Sequence, residues 1–180
     1  MDLRRILPKV QKPARYTGGE YNQIVKNPAL TEVSIAFCFP DTYEIGMSNL
    51  GLQILYGVLN SMDFVRCERV FAPWGDMEAE MRNKSIPLFA LENGGPVRDF
   101  DIIAFTLGYE MSYTNVLNML DLSGLPVRSK DRGEDMPLVI AGGCCACNPE
   151  PLSAFIDLFN IGEGEESLPE LMNLWREVKV

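Results

Sequence analysis

Apolar runs alternate with helical patterns from residue 33 onward, and this alternation constrains the fold more than any other feature. Four of the six runs are nearly continuous, which is typical of strands buried on both faces of a parallel sheet. We therefore expect the runs to form strands of one sheet. The runs are VSIAFCF (33–39), VRCERVFA (65–72), IPLFAL (86–91), DIIAFTLG (101–108), PLVIAGG (137–143) and DLFNIGEG (157–164).

The segments between the runs have the period of amphipathic helices. Ser112 is expected to cap one helix, and Ser167 with Glu170 forms a capping box before the last. A short helix is expected from Asp76. The alternation predicts an α/β fold: a doubly wound, mainly parallel Rossmann- or flavodoxin-like sheet with helices on both faces, and any ligand beyond the carboxyl ends of the strands. The apolar helix positions are Leu55, Val58, Leu59, Met62, Met77, Met81, Tyr113, Val116, Leu117, Leu120, Leu168, Leu171, Met172, Trp175 and Val178.

Composition argues against several classes of protein. The net charge is −9 over 180 residues and the acidic residues are spread along the chain, which argues against a nucleic-acid surface. The absence of histidine excludes a Ser-His-Asp site, a His-ligated metal and a histidine base within these residues. No apolar stretch is long enough for a transmembrane helix, and five cysteines suit a reducing compartment. We therefore expect a cytoplasmic protein that binds neither nucleic acid nor membranes.

Residues 1–30 are predicted to be an arm, because they contain Pro8, Pro13 and Pro28 and show no sustained periodicity. Residues 31–180 are predicted to be one α/β domain. The stretch PARYTGGEYN has no core role that the sequence predicts. It either lies against a further domain or belongs to a loosely ordered terminus.

Small or polar residues follow four of the predicted strands, in FPDTYEIG, FTLGYEMS, AGGCCACNPEP and IGEGEES. The glycines let a ligand approach the backbone, or they simply make tight turns. Cys144 and Cys147 form a C-x-x-C pair with Cys145 between them, but zinc and iron–sulfur sites usually take four ligands, so no metal ligand is predicted. The run Glu163, Glu165 and Glu166 is more typical of a helix N-terminus than of catalysis, so no catalytic residue is predicted.

Taken together and in their order along the chain, these loops resemble those of a cobalamin (B12)-binding domain. The segment DTYEIGMSNLG is similar to the signature D-x-H-x-x-G, with Tyr43 where the histidine stands. The final stretch is similar to the end of that domain in B12-dependent radical SAM enzymes, where GG-x-x-x-x-x-P-E leads to a GEGE turn. More narrowly, KPARYTGGEYN, FPDTYEIGMSNLG, ERVFAPWGDMEAEM and YEMSYTNVLNMLDLSG resemble the N-terminal region of an uncharacterised bacterial family of radical SAM fusion proteins.

The resemblance implies an accessory domain, with cobalamin as its cofactor and a radical SAM domain of the same full-length protein as its partner. S-adenosylmethionine and a [4Fe-4S] cluster are expected only in that downstream domain, because no C-x-x-x-C-x-x-C occurs here, and this chain by itself is expected to be non-catalytic. The cofactor-binding residues it implies are Asp41, Tyr43, Gly46, Thr106, Gly142, Gly143, Gly162 and Gly164.

Two departures leave alternatives open. A phenol is mostly protonated at neutral pH and is a poor cobalt ligand, although many B12-dependent radical SAM enzymes also lack the histidine. The segment between Gly46 and Thr106 is long and is predicted to hold an additional strand. The chain is thus either a cobalamin-binding module or a degenerate docking or substrate-presenting domain, whose cleft should be too shallow for a corrin ring and whose Tyr43 should be buried. A flavodoxin-like FMN or nucleotide binder is a third alternative, although no G-x-G-x-x-G or Walker loop is present.

Overall fold

A computed structural model describes residues 3–179, including Arg4 without its side chain. Met1 and Asp2, at the start of the predicted arm, and Val180, at the end of the predicted domain, lie outside the described residues. Within them, five parallel strands form one sheet in the order β2-β1-β3-β4-β5. This flavodoxin-like order confirms the predicted α/β class. The strands are β1 (Val33–Phe39), β2 (Val65–Phe71), β3 (Ile102–Thr106), β4 (Leu138–Gly142) and β5 (Leu158–Phe159).

Helices cover both faces of the sheet, as the helical patterns predict. The second and fifth helices pack on one face, where Leu52 and Met172 join a buried cluster with Ile35. The third and fourth helices pack on the other, where Met77 and Val116 join Ala36. None of the described helices has both the length and the hydropathy that a bilayer span requires. The helices are α1 (Tyr43–Met47), α2 (Leu50–Ser61), α3 (Gly75–Lys84), α4 (Tyr113–Leu122) and α5 (Gly164–Val178).

The run over 86–91 does not form the expected strand, so β2 is the one strand that the structure describes between Gly46 and β3, which ends at Thr106, and the additional strand predicted there is wrong. Phe89 makes one isolated antiparallel bridge to Pro96, and the backbone N–H of Ala90 donates to the Gly95 carbonyl at 2.9 Å. The chain therefore turns back on itself beside β2, where the Leu91 N–H donates to the Arg69 carbonyl at 2.9 Å. The run is apolar because it is buried, and a short buried run need not pair as a strand.

One predicted helix cap holds in position only, and the other is wrong. Ser112 occupies the N-cap position of α4 as expected, but its hydroxyl donates back to the Tyr109 carbonyl at 2.7 Å and makes no capping hydrogen bond. Ser167 lies inside α5, where its hydroxyl donates to the Glu163 carbonyl at 2.9 Å. The helix begins at Gly164, three residues before the predicted box, and this earlier start places acidic side chains in a first turn that favours negative charge.

The arm contributes to the core, which the sequence did not predict. Ile6 and Val10 are buried in the same cluster as α3 and α4. The described arm consists of short 3-10 turns joined by irregular segments, so its apolar residues show no regular period. The division at residue 30 stays a prediction.

Candidate ligand site at the carboxyl edge of the sheet

A cavity of about 210 Å³ lies over the carboxyl ends of β1, β3 and β4, between α2 and α5. On the same measure one water needs roughly 15 Å³, so the cavity can hold a small ring system. Its lining includes the apolar side chains of Phe37, Leu55, Ala104, Ile140 and Leu168. Polar side chains also line it, from Thr106, Asn160, Glu163 and Glu165.

The structure brings five of the eight predicted cofactor residues together around this cavity: Thr106, Gly142, Gly143, Gly162 and Gly164. Thr106 and Gly142 are paired across β3 and β4, because both end their strands in register. Whether the five bind a ligand stays a prediction. Asn160, which also lines the cavity, was missed because it lies inside an apolar run.

Gly143 has a structural reason to be glycine. Its φ is 100°, and a Cβ there would lie 2.7 Å from the Leu107 carbonyl oxygen, so any side chain would be strained. At Gly142 a Cβ would meet Asn160 only at an ordinary contact distance of 3.7 Å. The backbone therefore requires glycine at Gly143, whereas at Gly142 a side chain would fit and would reduce the cavity.

Asp41, Tyr43 and Gly46 do not line this cavity. They lie in the loop and short helix after β1, beside the end of β2. The Tyr43 ring meets the Phe71 ring edge-on with centroids 5.5 Å apart, and a Cβ on Gly46 would lie 2.2 Å from a Phe71 ring carbon. Gly46 is thus small because an aromatic ring occupies the adjacent space.

The Tyr43 hydroxyl is hydrogen-bonded to a residue of the arm. It donates to the Glu20 carboxylate at 2.8 Å, and burial together with this bond raises the pKa of Tyr43 to about 12. The phenol is therefore protonated at neutral pH. The half-buried Tyr43 cannot ligate cobalt as an anion while this contact is made.

Glu20 is held in turn by Arg69, whose side chain is fully buried. Arg69 pairs with Glu20 at 3.0 Å and with the buried Glu92 carboxylate at 2.6 Å, and its guanidinium lies 4.6 Å from the Tyr56 ring centroid. Burial raises the pKa of Glu92, and Arg69 opposes that rise. The sequence signal for this cluster was the presence of charged residues, including Arg69, inside the run VRCERVFA, which otherwise predicts a buried strand.

A second missed residue, Tyr109, joins the loops after β1 and β3. Its hydroxyl donates a hydrogen bond to the Asp41 carboxylate, which raises the pKa of Tyr109. Asp41 also accepts from the Thr42 N–H at 2.7 Å. The chain leaves β1 toward β2 on one side of the sheet and leaves β3 toward β4 on the other. The gap between β1 and β3 is therefore the topological switch point, where ligands of such sheets usually bind. Tyr109 therefore bridges the mouth of that crevice.

Within the described residues, the cysteine side chains are not arranged as a set of metal ligands. Among residues 3–179, no group of three or more cysteine, aspartate or glutamate side chains is arranged to hold a metal ion. Cys144 and Cys147 are exposed, Cys145 is half-buried, and Cys38 and Cys67 are buried in strands.

Comparison with known proteins places the chain in a family. The family model described as "Radical SAM proteins, N-terminal" matches residues 51–180, which include the five predicted residues at the cavity but not the loop after β1. An uncharacterized protein of Methanocaldococcus jannaschii, MJ0966, is 27% identical over 150 residues. The match covers 82% of this chain but only 28% of that relative, so the chain corresponds to a minor part of it. The chain therefore belongs to the family of radical SAM N-terminal domains.

Proposed function

We propose that this N-terminal domain binds the nucleotide tail of a corrinoid in the cavity between α2 and α5 and presents the corrinoid to a radical SAM domain of the full-length protein. The cavity itself is the observation that carries the proposal. It lies at the carboxyl edge of a flavodoxin-like sheet, where ligands of such folds bind.

The size of the cavity favours part of a ligand rather than a whole one. Sites that enclose a drug-sized molecule usually measure roughly 300–1,000 Å³, whereas this cavity measures about 210 Å³. Its apolar walls suit a flat aromatic base, and the Thr106 hydroxyl and Asn160 amide can hydrogen-bond to polar edges. A corrin ring would have to lie outside the cavity.

The charge of the lining favours a corrinoid over a flavin or nucleotide. Glu163 and Glu165 line the cavity, and no basic side chain is among its lining residues within the described chain. A terminal phosphate dianion, as in FMN, would meet like charge there. The phosphate of a corrinoid tail is a diester with a single negative charge, and on this proposal it stays outside the cavity while only the uncharged base enters.

The residues present do not fit a histidine-like cobalt ligand. Tyr43 takes the place of the histidine in the motif, and its protonated hydroxyl is bound to Glu20. We therefore expect a corrinoid to bind without a cobalt ligand from Tyr43. When bound, the corrinoid would supply the reactive cobalt, and the role of this chain would be to bind and orient it.

A docking domain without a corrinoid is the second candidate. The contact between Tyr43 and Glu20 favours it, because Glu20 of the arm binds the hydroxyl of the residue that stands where the motif has its cobalt ligand. On this alternative the strand-end loops would recognise the radical SAM domain directly.

Titration with hydroxocobalamin, followed by calorimetry and by the visible spectrum, tests the proposal. The wild-type chain should bind with a shift of the spectrum. Gly142→Val should weaken binding at least about tenfold, because its side chain enters the cavity. The matched control Gly57→Val lies on the exposed side of α2, where an added Cβ meets no atom within 4 Å, and should bind like the wild type.

Two results would overturn the proposal. The absence of heat and spectral change with the folded wild-type chain would favour the docking alternative. Equal affinity of the wild type and Gly142→Val would show that a corrinoid binds elsewhere.

A further inference from the structure

Three of the five cysteines lie together in the turn that follows β4. Residues Cys144–Cys147 form a single 3-10 turn that begins one residue after Gly143. The turn is held by backbone hydrogen bonds from Ala146 to the Gly143 carbonyl at 3.0 Å and from Asn148 to the Cys145 carbonyl at 3.2 Å. Its first and last residues, Cys144 and Cys147, are exposed.

The 3-10 turn places Cys144 and Cys147 within reach of each other. Such a helix has three residues per turn, so side chains at i and i+3 lie one above the other. A rise of about 2.0 Å per residue separates their Cα atoms by about 6 Å, inside the range of roughly 4.4–6.8 Å that disulfides span. The two thiols can therefore be joined with little movement of the backbone.

We propose that Cys144 and Cys147 are a redox-active dithiol, which forms a disulfide by exchange with a low-molecular-weight disulfide such as oxidised glutathione. No component of the proposed corrinoid site is needed for this exchange. The pair is exposed to such a reagent in the described chain, as the exchange reaction requires.

The other cysteines are poor partners. Cys38 and Cys67 are buried in β1 and β2, where burial raises the pKa of both thiols. Cys145 is adjacent to Cys144, and adjacent Cα atoms are about 3.8 Å apart, which is closer than disulfides usually allow. The pairing of Cys144 with Cys147 therefore fits best.

The exchange takes two steps. The thiolate of one cysteine attacks a sulfur of the small disulfide, breaks its S–S bond and forms a mixed disulfide, while the released thiolate takes up the proton lost by the cysteine. The thiolate of the second cysteine then attacks the protein sulfur of the mixed disulfide and releases a second small thiol. Two protein thiols are oxidised and one small disulfide is reduced to two thiols.

Oxidation would alter the contact between two strand-end loops. The Cys144 thiol donates to the Gly108 carbonyl at 3.1 Å, next to Tyr109. A disulfide removes the thiol proton and so abolishes this hydrogen bond. The redox state of the pair would thus act on the loop after β3.

The test incubates the folded chain with mixtures of reduced and oxidised glutathione, quenches with acid, alkylates the remaining thiols and maps the peptides by mass spectrometry. We expect two of the five thiols to be lost together, in a disulfide between Cys144 and Cys147. Dithiothreitol should restore all five.

Serine variants separate the pair from its neighbour. Cys147→Ser should stop the exchange at a mixed disulfide with one glutathione per chain, and the matched control Cys145→Ser should form the same internal disulfide as the wild type. The proposal is overturned if the wild type forms no internal disulfide with oxidised glutathione in excess, if the mapped disulfide includes Cys145, or if Cys145→Ser abolishes it.

Discussion

Replacing Arg69 by methionine should destabilise the domain strongly, because it leaves a buried carboxylate without its counter-ion. Arg69 and the Glu92 side chain are both fully buried and lie 2.6 Å apart. Methionine retains much of the length of the side chain and removes the charge. Breaking a buried ion pair on one side costs about 3–5 kcal/mol, a large part of the roughly 5–15 kcal/mol by which domains are stable.

Urea unfolding followed by circular dichroism measures this cost. A matched control is Arg82→Met, because Arg82 also contacts two carboxylates, those of Glu78 and Asp121, but its side chain is 45% exposed. Exposed ion pairs contribute about 1 kcal/mol or less, so this variant should lose far less stability. Adding Glu92→Gln to Arg69→Met should recover a substantial part of the loss, since the unpaired charge is then absent.

The pH dependence gives a second readout with a definite sign. Burial already raises the folded-state pKa of Glu92, and removal of Arg69 should raise it further. A carboxyl with a raised pKa contributes stability that is present below its unfolded pKa, near 4.3, and is lost as pH rises through the folded value. The deficit of Arg69→Met relative to wild type should therefore be smaller near pH 5 than near pH 7.5.

Either of two results would contradict a strong contribution of the buried Arg69–Glu92 pair. Equal losses of unfolding free energy for Arg69→Met and Arg82→Met would show that burial of the pair is energetically unimportant. A double variant no more stable than Arg69→Met would show that the cost does not come from the Glu92 charge.

Three further predictions concern the arm and the strand-end loops. Ile6→Ala should lower the free energy of unfolding by about 2–5 kcal/mol because Ile6 is fully buried, whereas the more exposed Ile24→Ala should cost clearly less; equal losses in urea would contradict a core role for the arm. Tyr43→His should change the visible spectrum of bound hydroxocobalamin, since imidazole is a better cobalt ligand than a phenol; an unchanged spectrum would show that this loop does not reach cobalt. Tyr109→Phe should alter stability by no more than about 1 kcal/mol, because the bond to Asp41 is exposed, but should speed hydrogen exchange in residues 107–112; unchanged exchange would show that the bond does not hold the loop.

The strand-end loops show how much of the site could be predicted. Thr106, Gly142, Gly143, Gly162 and Gly164 meet at one cavity because parallel strands end at the same edge, and this follows from strand assignment alone. The other predicted residues came from a motif whose spacing is local. Spacing does not tell which residues of the loop reach the cavity, and Tyr43 and Gly46 pack against Phe71 and are not among its lining residues.

The misassigned run over 86–91 shows where sequence reasoning failed within the fold. Apolar residues report burial, and burial is common to a central strand and to a loop packed against the edge of a sheet. Leu88 and Ala90 are buried, yet the chain around them makes a turn instead of a ladder. Pro87 inside the run is the sequence signal against a ladder, because proline has no N–H to donate to a neighbouring strand.

The sequence by itself determined the layered α/β architecture and the edge at which a ligand would bind, because both depend on continuous apolar runs, on the helical period of 3.6 residues and on the order of strands and helices. Only the tertiary structure decided that the arm packs into the core, that Glu20 occupies the Tyr43 hydroxyl, and that Arg69 is buried between two carboxylates. The physical reason is sequence separation: the hydrogen bonds of Glu20 and Arg69 join residues 23 to 49 positions apart, and no local pattern in the chain encodes which distant partner satisfies a buried charge.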